Sequence, residues 1–370
     1  MRRNYRLTVL TPLHIGDGLK LTDLDMVAAK GRIWRVDMDR LLSEKEVDAE
    51  ELADLMETAS RFKMSEYLQQ KGISPESVTC YSLGSPLKPG ELPGELISQL
   101  KDSFNRAYIP GSSIKGAMRT AILWWRLKED PVLLDRAARI LQDGLRKERI
   151  SKKWFASGLE KAVFGPDPNH DLMRAVRISD STPIPLERLE VQEVGVMNLV
   201  RDSGEGSFRP TASKFVWKMK LFVEAVTEST SVNFDLNVDD FLLKRDVAGS
   251  LGFRDADIVS DIPKICRAYA KEFIAQEIDF AGKYGLEELE AFYKELLKEA
   301  GRKDIFLLHL GWGSGWHGMT VGRMFPDMIE DLRRDFRLGH KGVEEFPKTR
   351  KIAISGTKQY PLGWASIVPA

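Results

Sequence analysis

Residues 108–121 read YIPGSSIKGAMRTA, and this stretch is the clearest local signal in the 370-residue chain. Its proline and glycine end an extended segment, and the serines that follow are suited to cap a helix running through residues 117–124. A glycine-flanked turn at a helix start exposes backbone N–H groups at the positive end of the helix dipole, which favours a phosphate. Lys115 and Arg119 lie four residues apart, so both are expected on one side of the first turns.

Two interpretations of this segment stay open on the residues alone. Either it holds a phosphate, or it is a well-capped helix with two solvated cations. The segment is not a P-loop, because that motif needs lysine and serine or threonine directly after its second glycine, whereas Ala117 and Met118 follow Gly116. An ATPase is therefore disfavoured.

Outward from this helix, the residue pattern predicts strands interspersed with helices. Strands are predicted at 4–11, 24–29, 32–37, 175–180, 189–199, 214–226 and 305–310, the second and third forming a hairpin. Helices are predicted at 38–72, 131–147, 151–163, 257–280, 285–300 and 319–334. Loops are predicted at 14–18, 83–97, 201–210 and beyond 339. Because these elements lack regular βαβ alternation, the sequence predicts an α+β fold.

A glycine-rich loop, GWGSGWHG at residues 311–318, follows the last predicted strand. Such a chain can approach a phosphate closely and present several N–H groups, while Trp312 and Trp316 offer faces on which bases can stack. The alternative is a tight turn whose tryptophans pack in the core.

A third segment, His14-Ile15-Gly16-Asp17-Gly18, follows the first strand, with Asp23 and Asp25 shortly after it. A histidine beside a flexible loop can act as a general base, and nearby carboxylates can hold Mg²⁺. Such a histidine is more often a hydrogen-bonded structural residue at a strand end. The dipeptide at 170–171, His-Asp, lacks the further ligands that a metal site of this kind needs.

The composition is that of an ordinary globular protein, with 43% hydrophobic and 30% charged residues. Lys and Arg together number 55, as do Asp and Glu, so RNA binding would need a local basic surface. The two cysteines lack metal-ligand spacing and suit a reducing cytoplasm. Neither a membrane-spanning run nor a signal-peptide segment is evident, and we expect no cofactor and no resident metal.

Three segments in this order resemble the RAMP superfamily of CRISPR-associated proteins: Thr11–Gly18, Tyr108–Ala121 and Gly311–Gly315. The chain is most similar to the type III-A (Csm complex) subunit that caps the 3′ end of the crRNA. The resemblance implies RRM-like (ferredoxin-like) domains with helical insertions, which we place at residues 1–175 and 176–370. The second of these would carry the glycine-rich loop.

The resemblance also implies a function and partners. It implies a non-catalytic, crRNA-binding subunit of a type III-A effector complex that assists crRNA maturation in antiviral defence. The expected partners are crRNA, the neighbouring RAMP backbone subunit, maturation nucleases and target RNA, with no membrane. By analogy with the family, the candidate RNA-binding residues are His14, Gly16, Gly111, Ser112, Ser113, Lys115, Arg119, Gly311, Trp312, Gly313, Ser314 and Gly315.

The rival interpretation is a RAMP endoribonuclease. In the backbone subunit of the family, an aspartate after the first motif cuts target RNA with a metal ion, and Asp25 lies near the corresponding place with Asp23 beside it. A metal-free version would use His14 as general base. The sequence around Asp25 departs from the glycine-bearing loop of the cleaving subunit, so we expect no catalytic residue here.

Overall fold

The fold is seen in a computed structural model that describes residues 2–58, 62–146, 155–202, 212–339, 345–356 and 358–370. Its strands are β1 (Arg2–Val9), β2 (Gly16–Leu21), β3 (Met26–Ala29), β4 (Arg32–Val36), β5 (Thr79–Gly84), β6 (Leu96–Gln99), β7 (Val176–Ile178), β8 (Leu189–Asp202), β9 (Ala212–Val226), β10 (Ser231–Val238), β11 (Phe306–His309), β12 (Thr349–Ser355), β13 (Lys358–Pro361) and β14 (Trp364–Pro369). Its helices are α1 (Met38–Leu42), α2 (Ala49–Thr58), α3 (Met64–Lys71), α4 (Gly111–Glu129), α5 (Pro131–Leu145), α6 (Ser157–Phe164), α7 (Arg245–Ser250), α8 (Ile262–Lys283), α9 (Glu287–Ala300), α10 (Gly315–Met319) and α11 (Ile329–Asp335). Short 3₁₀ turns connect several of them.

The first sheet is antiparallel, and the described strands follow the order β11-β14-β1-β10-β7. β1 occupies its centre because alternate side chains, Tyr5, Leu7 and Val9, are buried. Leu7 lies opposite Val232 on one side and opposite Ile367 on the other. The sheet therefore joins the beginning, the middle and the end of the chain.

The second sheet runs β2-β6-β9-β8-β5-β4-β3 in the described part of the chain, with β12 also paired to β8 and β13 to β12. Its longest pair is the antiparallel hairpin of β8 and β9. One core contains side chains of both sheets and of α4 and α8, and in it the Trp124 and Tyr269 ring centroids lie 5.5 Å apart. The Trp124 indole N–H donates to Glu272 at 2.9 Å, so its polar atom is satisfied at the edge of that core.

The α+β fold class is confirmed, as are the β3–β4 hairpin and the helix that begins at Gly111. The predicted serine cap of α4 is wrong: the N-cap residue is Pro110, and no side chain caps the helix from that position. The single helical region 38–72 is instead three helices. The helix predicted at 319–334 is confirmed only from Ile329, where α11 begins. Before it, 3₁₀ turns start at Gly322 and Pro326.

Two predicted loops are strands. Residues 16–18 begin β2, because Gly16 pairs with Gln99 of a strand far along the chain. The segment beyond 339 contains β12, β13 and β14, and Trp364, Ala365 and Ile367 are buried. Tertiary pairing overrides local propensity in both places. Residues 203–210 of the predicted polar loop lie outside the described part of the chain.

The division into residues 1–175 and 176–370 stays a prediction. Each sheet takes strands from both segments, since β1 pairs with β10 and β14, and β5 and β6 pair with β8 and β9. Among the described residues, no helix combines the length and the apolar character that crossing a bilayer requires.

Candidate nucleic-acid interface

The three segments singled out in the sequence line one open cleft of about 700 Å³. The cleft lies where the segment after β1, the start of α4 and the loop after β11 meet. Its lining consists of His14, Ile15, Gly16, Gly18, Leu19, Lys20, Ile97, Ser113, Gly116, Ala117, Thr120, His309, Leu310, Gly311, Trp312, Ser314, Gly318 and Met319. The fold thus brings together segments that are distant along the chain.

His14 is fixed at the inner end of this cleft with only 1% of its surface exposed. Its Nδ1–H donates to the carbonyl of Glu224, the two atoms being 2.7 Å apart. Desolvation by burial is the main cause that lowers the pKa of His14, so the imidazole is neutral at neutral pH. Gly16 leaves room for the ring, because a Cβ there would lie 3.1 Å from Nε2 of His14.

Beneath this segment lies a buried carboxylate, Glu224, which is 1% exposed. It accepts hydrogen bonds from the Tyr81 hydroxyl at 2.8 Å and from the backbone N–H of Gln99 at 2.8 Å. It also forms an ion pair with Lys101, whose side chain is only 7% exposed. The Lys101 ammonium lies 4.7 Å from the Tyr81 ring centroid as well. Because its charge is compensated, Glu224 can hold β6 and β9 together under the first motif.

The start of α4 is bound by the protein itself. The Gly111 N–H donates to Oδ1 of Asp180 at 2.8 Å. A Cβ at Gly111 would lie 2.3 Å from the carbonyl oxygen of Ile178, so only glycine permits this approach to the strand. The prediction that the first N–H of the helix is free for a phosphate is therefore wrong at Gly111. Ser112 is exposed and Ser113 lines the cleft.

The two cations of this helix differ in their surroundings. Arg119 makes two hydrogen bonds to Asp171, at 3.0 and 2.8 Å, and lies 3.8 Å from the Phe164 ring centroid. Lys115 is half-buried, and no carboxylate of the described residues lies within ion-pair distance of it. Desolvation lowers its pKa. Arg119 therefore holds α4 in place, and Lys115 keeps its charge available.

The glycine-rich loop packs against the first motif through backbone contacts. The Trp312 N–H donates to the His14 carbonyl at 2.9 Å. Gly311 has a φ of +72°, and a Cβ there would lie 2.3 Å from the same carbonyl oxygen. At Gly313 a Cβ would lie 2.6 Å from Cβ of Leu362. These glycines therefore serve the close packing of two chain segments.

The other polar and aromatic residues of this loop are also held. Ser314 is 5% exposed, and its hydroxyl donates to the Gly311 carbonyl at 2.7 Å. Gly315 has a φ of +62° and open space beside it. Lys351 lies 3.5 Å from the Trp312 ring centroid, so one face of this indole is covered although Trp312 lines the cleft. Trp316 packs against Phe346, with ring centroids 4.8 Å apart.

Comparison with known proteins agrees with the resemblance seen in the sequence. The pattern of the RAMP superfamily matches residues 6–317. The chain belongs to the RAMP superfamily. Its α+β fold is accordingly that of the ferredoxin-like RAMP domains.

Relatives of this RAMP chain bear a more specific name. A protein of Methanocaldococcus jannaschii described as "CRISPR system Cms protein Csm5" is 24% identical over 96% of this chain and 86% of its own length. A protein of Streptococcus thermophilus with the same description is 25% identical over 93% of this chain and 86% of its own length.

Solved structures agree with this RAMP assignment. A chain of a cryo-EM structure of a Csm–crRNA–target RNA ternary complex, from a type III-A CRISPR-Cas system, covers 100% of both chains with a TM-score of 0.75 and 26% identity. The crystal structure of T. onnurineus Csm5 has a TM-score of 0.64 and 24% identity, covers 97% of this chain and 99% of that one, and supports the fold alone.

Asp23 and Asp25, the carboxylates of the rival metal-dependent interpretation, lie in a turn between β2 and β3. Asp25 accepts hydrogen bonds from the backbone N–H and hydroxyl of Thr22 at 2.9 and 3.2 Å, and its other oxygen pairs with Arg35 at 2.9 Å. The carbonyl of Asp23 accepts the Met64 N–H at 3.3 Å. In the described part of the chain, no three His, Cys, Asp or Glu side chains are grouped so that they could hold a metal ion.

Sequence reasoning missed two kinds of residue at the RAMP cleft. Leu19 and Met319 line it with 58% and 62% of their surfaces exposed. Leu19 follows the predicted loop at 14–18 and Met319 begins the predicted helix at 319–334, and neither belonged to a motif. Glu224 and Lys101 form the buried ion pair under the first motif, and neither belongs to a motif. Exposed apolar side chains of this size can pack against unstacked bases.

Replacing Lys101 with Met should destabilise the protein by about 3–5 kcal/mol, because Glu224 would be left as a buried, uncompensated charge. Denaturant unfolding of the full chain measures this free energy. Lys20→Met is the matched control, since its ion pair with Glu95 is well exposed and should contribute little. Equal small effects of the two substitutions would contradict the role assigned to Glu224.

Proposed function

We propose that this chain is a non-catalytic, crRNA-binding subunit of a type III-A CRISPR effector complex. In this proposal it caps the 3′ end of the crRNA backbone assembly and assists crRNA maturation. The observation that carries the proposal is the convergence of the three RAMP segments on one cleft. The full-length similarity to a chain of a Csm–crRNA–target RNA complex supports it.

The chemistry of the cleft suits a single RNA strand. Lys20 lines the cleft. Lys115 lies outside it, near Arg119, on the face of α4 opposite the cleft-lining residues Ser113, Gly116, Ala117 and Thr120. Within the cleft, phosphates would be met by Lys20, and bases by Leu19, Met319 and the accessible part of Trp312. Lys115 would meet a phosphate where the strand leaves the cleft and passes over α4. Since the net charge is zero, this local arrangement would provide the attraction, and neighbouring subunits would complete the groove.

The partners follow from the same proposal. They are crRNA, the neighbouring RAMP backbone subunit of the Csm complex, target RNA and the nucleases that trim crRNA. RNA that copurifies with the tagged full chain from its native cell in mild salt should consist of short species with a shared repeat-derived 5′ handle and spacer ends near a common length. Sequencing of the copurified RNA determines these sequences and lengths directly. Unrelated RNA, or none, would overturn the proposal.

Lys115→Ala should weaken RNA binding and make it less dependent on salt. Loss of one phosphate contact to single-stranded RNA should reduce the slope of log K against log salt by roughly 0.7. Fluorescence anisotropy of a labelled crRNA at several salt concentrations measures both quantities. Lys298→Ala is the control, because this lysine pairs with Glu295 on the exposed face of α9 and does not line the cleft. A slope that is unchanged by Lys115→Ala would rule out this phosphate contact.

The rival endoribonuclease is tested with repeat-containing RNA, incubated first with Mg²⁺ and then with EDTA. We expect no products, because Asp25 is engaged by Arg35 and Thr22, and because His14 is buried with its Nδ1–H bound to a carbonyl. Metal-dependent products lost in Asp25→Ala, but retained in Asp48→Ala, would establish the metal-dependent alternative. Products in EDTA that disappear in His14→Ala would establish the metal-free one.

A further inference from the structure

A second cavity, of about 440 Å³, lies on the other side of the glycine-rich loop. Residues of α8, the loop and β12 line it, among them Glu277, His317, Arg350 and Lys351. Residues His309, Ser314 and Met319 line both this cavity and the cleft described above, so the loop separates the two. We call it the rear cavity.

Lys351 is a half-buried cation of the rear cavity that has no anionic partner among the described residues. No carboxylate of these residues lies within ion-pair distance of it. Its ammonium donates to the Trp312 carbonyl at 3.0 Å and lies 3.5 Å from the centroid of the same indole. Desolvation lowers the pKa of Lys351 to about 8. Burying an ammonium without a counter-ion is unfavourable, so this position is suited to receive an anion.

The neighbouring cation, Arg350, has a carboxylate partner in the same cavity. Arg350 forms two hydrogen bonds to Glu277, at 2.8 and 3.0 Å, and lies 3.8 Å from the Phe280 ring centroid. Both side chains of this pair are largely buried. The carboxylate at this end of the cavity is therefore already neutralised, which leaves the charge of Lys351 uncompensated.

His317 adds a hydrogen-bonding group. Its Nδ1 is buried and has no partner among the described residues. Desolvation, followed by the charges of Arg350 and Arg323, lowers the pKa of His317 to about 3, so the ring is neutral. A neutral imidazole can carry its proton on Nδ1 and donate it to an oxygen. A buried donor without an acceptor is costly, and an anionic oxygen would satisfy it.

We propose that the rear cavity binds a phosphate group of RNA, with Lys351 supplying the charge and His317 a hydrogen bond. The proposal rests on the RNA-binding function proposed above and adds a second contact point on the other side of the loop. The phosphate is either the terminal phosphate of an RNA end or a phosphodiester of a strand that passes the loop. Both would present a non-bridging phosphate oxygen to Lys351. RNAs that differ only in whether they end in a phosphate distinguish the two.

The first test is thermal unfolding of the full chain with inorganic phosphate, against chloride at equal ionic strength. Phosphate should raise the Tm of the wild type, and this increase should be absent in Lys351→Met and retained in Lys351→Arg. Lys298→Met, on the exposed face of α9, should respond as the wild type does. A Tm increase that is the same in Lys351→Met, or no increase in the wild type, would overturn the proposal.

The second test compares binding of two RNAs of one sequence, one ending in a 3′-phosphate and the other in a 3′-hydroxyl. Lys351→Met should weaken binding about ten- to a hundredfold, as expected for a charge-assisted hydrogen bond. A loss confined to the phosphorylated RNA would assign the cavity to a terminal phosphate, whereas an equal loss for both would assign it to a phosphodiester. His317→Ala should act in the same direction. If the Lys351→Met variant binds both RNAs as tightly as the wild type does, the rear-cavity site alone is overturned. If the wild type binds neither RNA, the proposed function is overturned as well.

Discussion

The hydrogen bond from the Trp312 amide to the His14 carbonyl is the contact on which the rest of the site depends. It fixes a late loop of the chain against the segment that follows the first strand, and Gly311 makes the approach possible. The cleft in front of the loop and the cavity behind it both exist because the loop is held there. The Ser314 hydroxyl and the Lys351 ammonium then stabilise the loop by donating hydrogen bonds to its carbonyls.

Some cationic side chains of this protein are paired with carboxylates and stabilise the fold, whereas others remain available to bind an anion. Arg119 is bound by Asp171, Arg350 by Glu277 and Lys101 by Glu224. These pairs cancel in the net charge and leave no attraction for a polyanion. Lys115 and Lys351 lack such a carboxylate within the described residues. Lys115 lies on α4, a helix that lines the cleft with its other face, and Lys351 lines the rear cavity. A formal charge of zero is therefore compatible with a local attraction for phosphate.

The parts of the fold and site that sequence predicts are those set by near neighbours in the chain. The β3–β4 hairpin and the body of α4 follow from local patterns, and the resemblance identified the segments that converge on the cleft. The partner of the Gly111 N–H did not follow, because Asp180 arrives from a different segment. Nor did Glu224, Lys101 or Lys351, whose burial depends on strand pairing across the chain.

The position of β1 between β10 and β14 has a consequence for synthesis on the ribosome. At roughly 5–20 residues per second, β1 emerges roughly 20–70 seconds before the strand that completes its sheet. During that interval the edge of β1 that pairs with β14 is unpaired, and unpaired edges are templates for aggregation. Arg2, Arg3 and Arg6 interrupt this strand with positive charge. Such charges discourage pairing between nascent chains, so a strand that must wait for the end of the polypeptide carries its own protection.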